Sequence, residues 1–202
     1  MTEEMLQKAM TLFDTPEKWN AFVELSLERD FIRNRWFKKL QQKLVSLSFA
    51  DDEHIEWICS IWNDWDIEWR LKSFDNKYLS FHTWAGFNCR LWIRNVDEET
   101  REKIYAYLES DVRFSQMCSF YELVNINKKP SEVPWDAHFI FNFSKDFNNR
   151  SWDAMVRSFA WHAGNDTDNV ARQIMEQVDK IRTPEMTDLF RKVDELLNEE
   201  NS

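Results

Sequence analysis

Apolar positions recur along this chain with two periods, and the change from one to the other divides it. From Glu17 to about Ser48, Leu25, Ile32, Trp36, Leu40, Leu44 and Leu47 fall three, four or seven residues apart, the spacing that lines one face of an α-helix. The pattern predicts a long helix, broken at most once. Ahead of it, Thr2 followed by Glu3 and Glu4 opens a short helix to about Phe13. Asp14-Thr15-Pro16-Glu17 then restarts the chain with a cap residue, a proline in the first turn and an acid that suits a helix N-terminus. Residues 51–60 are read as another helix.

From Asp66 to Arg94 the period shortens to two. Ile67, Trp69 and Leu71 alternate with Glu68, Arg70 and Lys72, and Asp75-Asn76 marks a turn. Tyr78–Trp84 is the next run, Ala85-Gly86 the next turn. Phe87, Cys89, Leu91 and Ile93 then alternate with Asn88, Arg90, Trp92 and Arg94. Half-buried strands produce such alternation, and two tight connections predict a three-stranded antiparallel meander.

Asp97 is expected to cap a helix over about 98–110. Met117–Ile126 and Ala137–Phe143 read as further strands, joined by the loop from Asn127 to Pro134. Ser151-Trp152-Asp153 starts a helix that should end on Gly164 as a left-handed C-terminal residue. Asp166-Thr167-Asp168 starts another, to about Arg182, and Thr183-Pro184-Glu185 a third, to about Asn198. The expected architecture is one α+β domain over residues 1–202: a long N-terminal helix, the meander, a further helix and strand, and a C-terminal helical group. The sheet core should span about 66–143 and the last helices about 151–199.

Composition removes several functions from this frame. The 202 residues include two glycines, Gly86 and Gly164, too few for a GxGxxG turn or a phosphate loop. GxSxG and HExxH are absent. Cys59, Cys89 and Cys118 are odd in number and lack CxxC spacing, which fits a reducing compartment and buried thiols. His54, His82, His138 and His162 show no ligand spacing to one another. The N-terminus carries acids where a signal peptide needs basic residues, and no long apolar run predicts a membrane span. A cytoplasmic protein with no metal or other cofactor is expected.

Charge is uneven. Lys+Arg number 26 against 36 Asp+Glu, a formal net charge of −10, which repels nucleic acid at long range. Residues 51–68 hold seven acids and no Lys or Arg, with Trp57, Trp62 and Trp65 interleaved. Carboxylates around large aromatics suit capture of a basic protein surface. The candidate partner-binding residues are Asp51, Asp52, Glu53, Glu56, Trp62, Asp64 and Trp65. Acidic inhibitors and immunity factors that neutralise basic toxins or nucleases have this character, so the leading expectation is a non-catalytic interaction protein.

Two other readings come from the meander. Its outward face would carry Arg70, Lys72, Trp84, Arg90, Trp92 and Arg94, side chains of the kind that stack on and neutralise single-stranded nucleic acid. Pairing of these cations with the acidic segment of the same molecule is the counter-expectation. The order helix, three antiparallel strands, helix, strand over residues 17–143 resembles the αβββαβ core of the PD-(D/E)XK nuclease superfamily and its nuclease-associated relatives. The resemblance implies an Asp on the second strand and Glu-x-Lys on the third, with two acids holding Mg²⁺ or Mn²⁺ while the lysine positions water. The corresponding places hold Asp75 and Asn88-Cys89-Arg90, and a shifted version holds Asp66 with Glu68-x-Arg70. Asn lacks a carboxylate's charge and Arg stays protonated, so the motif is not intact. Asp66, Glu68 and Asp75 form the alternative catalytic set.

Overall fold

The computed structural model describes residues 2–49, 54–84, 86–125, 135–143 and 151–199. The N-terminal third is helical: α1 (Glu3–Leu12), α2 (Pro16–Leu27) and α3 (Arg29–Phe49). Thr15 caps α2, its hydroxyl accepting from the Lys18 N–H at 3.3 Å. The expected long helix is broken once, at Glu28, whose N–H still bonds the Glu24 carbonyl. The core stripe keeps Leu40 and Leu44 of the expected one and adds Phe37 and Gln41. Phe37, Leu40, Gln41 and Leu44 are buried, Trp36 and Leu47 are half-buried, and Leu25 is 60 % exposed.

Six strands follow: β1 (Trp57–Ile61), β2 (Ile67–Leu71), β3 (Leu79–Trp84), β4 (Asn88–Ile93), β5 (Glu122–Asn125) and β6 (Trp135–His138). They form one antiparallel sheet in the order β1-β2-β3-β4-β6-β5. The meander β2–β3–β4 lies where the alternation placed it. The helix expected over 51–60 is corrected: Trp57 and Cys59 alternate with Ile58 and Ser60, pair with β2 and face the core. Ile61, four residues from Trp57, is exposed.

Between the two halves of the sheet stand α4 (Glu98–Ser110) and α5 (Val112–Cys118). Asp97 caps α4 as expected, accepting from the Thr100 N–H at 2.8 Å. The strand read as Met117–Ile126 starts only at Glu122, because Asp111 caps a helix through Cys118. The strand read as Ala137–Phe143 is instead β6, begun at Trp135. Beyond His138 the main chain bonds helix side chains: Gln177 accepts from the Ile140 N–H and donates to its carbonyl, and Gln173 accepts from the Asn142 N–H. The loop read as Asn127–Pro134 lies outside the described residues.

The chain closes with α6 (Trp152–Asn165), α7 (Thr167–Val178), a 3₁₀ turn at Asp179–Ile181 and α8 (Pro184–Glu199). Gly164 does not end α6 in a left-handed turn; it lies inside the helix. A Cβ there would fall 2.4 Å from the ring of Trp36, so the glycine is what lets α3 and α6 approach. Gly86 serves the turn after β3 with φ +79°, a conformation that side chains disfavour. The inward residues of the sheet, among them Trp69, Phe81, Leu91 and Trp135, share one core with α3, α6, α7 and α8. Trp57 donates to Thr187 and packs on Phe190 of α8, and Trp69 donates to Ser48 of α3. No helix among the described residues is long and apolar enough to cross a membrane.

Candidate functional site

With the inward residues of the meander committed to the helices, the intervening residues fall on the opposite face. The register sets Glu68 of β2 beside His82 of β3, and His82 beside Arg90 of β4. Glu68 gathers donors from three sides: Tyr78 Oη at 3.1 Å, Arg94 Nη2 at 3.1 Å, His82 Nε2 at 2.9 Å and Arg70 Nε at 3.4 Å. Burial pushes the Glu68 carboxyl up, but the hydrogen bonds and positive charge of His82 and Arg94 outweigh it and hold the group below its ordinary value. Burial also dominates at His82 and lowers its affinity for a proton. Both shifts favour the less protonated form of each group, and His82 is only 1 % exposed.

Aromatic rings roof this cluster. The Arg94 guanidinium lies 3.6 Å from the ring centre of Trp62 and 4.5 Å from that of Trp92, and Arg90 lies 5.7 Å from Trp92. Cation and ring thus alternate as Trp62, Arg94, Trp92, Arg90, a favourable stacking. The ladder ends on Asp136 of β6, 3.2 Å from Arg90.

This arrangement corrects the basic face expected for nucleic acid. Arg70, Arg90, Trp92 and Arg94 do share one side of the sheet, yet each arginine already meets a carboxylate of the same molecule. Arg94 is buried between two rings instead of open to solvent. Lys72 is exposed, and the side chain of Trp84 lies outside the described atoms. For Arg70 and Arg94 the partner is Glu68, the last acid of the segment expected to offer a carboxylate surface, and for Arg90 it is Asp136.

The alternative catalytic set does not assemble either. Asp66 is held in the β1–β2 turn by Asn63, which donates to its carboxylate at 2.8 Å. Asp75 is exposed, and the Arg70 guanidinium sits between it and Glu68, 3.1 Å from Asp75 Oδ1 and 3.4 Å from Glu68 Oε1. A fixed cation thus stands between Glu68 and Asp75, so these acids do not fit Mg²⁺ or Mn²⁺. Among the described residues no group of three or more His, Cys, Asp or Glu is placed to hold a metal ion.

The residues expected to meet a partner divide. Trp62 is 51 % exposed at the end of β1, Asp64 is exposed in the turn that follows, and Glu56 is exposed and paired with Arg191 of α8 at 2.6 Å. Trp65 is corrected to a half-buried position against the core: its ring packs on Phe37 at 4.9 Å beneath the guanidinium of Arg33. Asp51, Asp52 and Glu53 lie outside the described residues. β1 borders the sheet and pairs with β2 alone among the described strands; its last residue, Ile61, is exposed, as is Ile55 just ahead of it.

A second exposed region was not foreseen. No residue of α2 is buried, and Trp19, Phe22, Leu25 and Leu27 are all open. The signal was in the sequence: Trp19, Phe22, Val23, Leu25 and Leu27 spread over roughly half of the helix circumference, wider than a single core-facing stripe. No family model matches the chain, and no curated protein or solved structure shows a significant similarity to it.

Proposed function

We propose that this is a non-catalytic protein-binding module that receives a basic, partly apolar partner segment along the edge of β1. The observation that carries the reading is the half-exposed indole of Trp62 at the end of a border strand, next to exposed Ile61 and Asp64, with exposed Ile55 and Glu56 at the strand's other end. Border strands offer main-chain donors and acceptors to an added strand. Exposed Trp and Ile supply contact energy, and the carboxylates favour cationic partners and speed encounter. The Glu68 cluster supports the same reading, since its charges satisfy one another and it serves as a rigid floor under Trp62. An inhibitor, an immunity factor or an accessory of a nuclease system would use such a surface, and the three free thiols suit a cytoplasmic setting.

The test is quantitative capture from nuclease-treated and untreated lysates at low salt, with Trp62→Ala and Ser60→Pro compared to the wild type. A stoichiometric protein that survives nuclease treatment and is lost with both variants is the expected result. Capture of nucleic acid alone would overturn the reading. So would Mg²⁺-dependent cleavage that Glu68→Gln abolishes, which would favour the nuclease resemblance.

A further inference from the structure

The N-terminal arm, α1 and α2, raises a separate question. Phe13, in the connection between them, packs on Trp19 and Phe22 of α2, with ring centres 6.0 and 4.4 Å away, and Trp19 lies 5.8 Å from Phe22. Among the described residues no side chain of α2 is buried: Trp19 is 52 % exposed, and Leu25 and Leu27 more so. Helices of 10 and 12 residues gain little stability alone in water. Exposed apolar faces of this extent mark association surfaces.

Charge indicates what meets the arm. Residues 3–28 hold six acids, Glu3, Glu4, Asp14, Glu17, Glu24 and Glu28, against Lys8 and Lys18. Residues 29–43 of α3 reverse this, with six basic side chains against Asp30 alone. Arg35 and Lys38 are among the exposed ones, and Arg35 lies 5.5 Å from the open ring of Phe31. The acidic apolar arm and the basic helix therefore match in character.

They cannot meet within one chain. A helix reverses along its neighbour through a loop of about two to five residues, whereas Glu28 alone joins α2 to α3. The face that complements the arm must come from elsewhere, and every copy of the chain carries it. We infer that the protein forms a two-fold homodimer in which the arm of each copy lies along α3 of the other. The two contacts are equivalent, so the assembly closes on itself. This pairing uses neither β1 nor Trp62 and stands apart from the partner site proposed above.

The test is sedimentation equilibrium of the full chain across the micromolar range. The wild type should be a dimer, and Trp19→Glu with Phe22→Glu a monomer that keeps the near-ultraviolet circular dichroism of the folded core, since both residues lie outside that core. Charge reversal supplies the second arm of the test. Glu17→Lys with Glu24→Lys makes the arm basic, and Arg35→Glu with Lys38→Glu makes α3 acidic. Each double variant alone should weaken the dimer about fivefold or more, because each reversal acts at both contacts. Mixed together, the two variants should re-form a heterodimer of wild-type strength. A monomeric wild type, a dimer indifferent to Trp19→Glu with Phe22→Glu, or a mixture that stays apart would each overturn the inference. Trp62→Ala should leave the dimer intact, which separates this outcome from failure at the β1 edge.

Discussion

Asp194 of α8 accepts a hydrogen bond from the main-chain N–H of Leu79 at 2.6 Å, while its other oxygen is buried with no hydrogen-bond partner. The contact pins the last helix to the start of β3. Burial is the main reason that the Asp194 carboxyl is pushed up to about 8, against the pull of the Leu79 N–H.

The fold therefore prefers Asp194 protonated. Its contribution is full below the ordinary value of 3.8 and is lost as pH rises towards 8, at roughly 1.4 kcal/mol per pH unit. Asp194→Asn keeps an acceptor for Leu79 and carries no charge. Denaturant titration at pH 5 and pH 8.5 should show the variant losing little at the lower pH and exceeding the wild type at the higher. Parallel pH profiles for the two proteins would refute this.

Glu68 works in the opposite direction. Its carboxyl is held below the ordinary 4.5 and His82 below the ordinary 6.5. Both groups stabilise the fold above those values and lose that contribution as pH falls through the lower ones of the folded protein. Glu68→Gln leaves Arg94 buried without its counter-charge, a loss of about 3–5 kcal/mol. Urea unfolding at pH 7 measures it, and a change below 1 kcal/mol would mean that water reaches Arg94.

Gly164→Ala reverses the usual sign for a helix interior. Alanine ordinarily gains about 1 kcal/mol over glycine, but here its Cβ would strike the Trp36 ring at 2.4 Å. A loss of about 1–3 kcal/mol is expected from the overpacking. Thermal melts of Gly164→Ala, and of the same change with Trp36→Leu to open space, should show the second variant recovering most of the loss.

The two tryptophans of the β1–β2 turn should behave differently. Trp65→Ala empties a place against Phe37 and should cost about 3 kcal/mol or more. Trp62→Ala removes one face of the Arg94 stack, a cost of about 1–2 kcal/mol. Equal losses in denaturant unfolding would show that Trp62 is a core residue and remove it from the partner surface.

Much of this could be read from the chain. The meander was legible because Trp69, Phe81 and Leu91 alternate with polar neighbours, and a period of two survives any choice of partner strand. The turn-and-cap signals at Thr15, Asp97 and Pro184 sit where helices begin for the same local reason. β1 was hidden because its burial alternates over only two positions, Trp57 and Cys59, before Ile61 opens to solvent. The outward arginines were placed on one face correctly. That Glu68 lies among them and Trp62 folds over Arg94 depends on cross-strand register and a turn, which periodicity does not encode. Gly164 misled for a similar reason, since a glycine that ends a helix and one that admits a neighbouring ring look alike in one dimension.

The single-residue junction at Glu28 leaves the arm without slack. A load on Trp19 or Phe22 passes into α3 as a bending moment, with no hinge to absorb it. α3 is the helix that packs against α6, α7 and β1, so the arm springs from a helix that the core anchors. Whatever grips the arm is thereby gripped by the body of the protein and not by a loose tether.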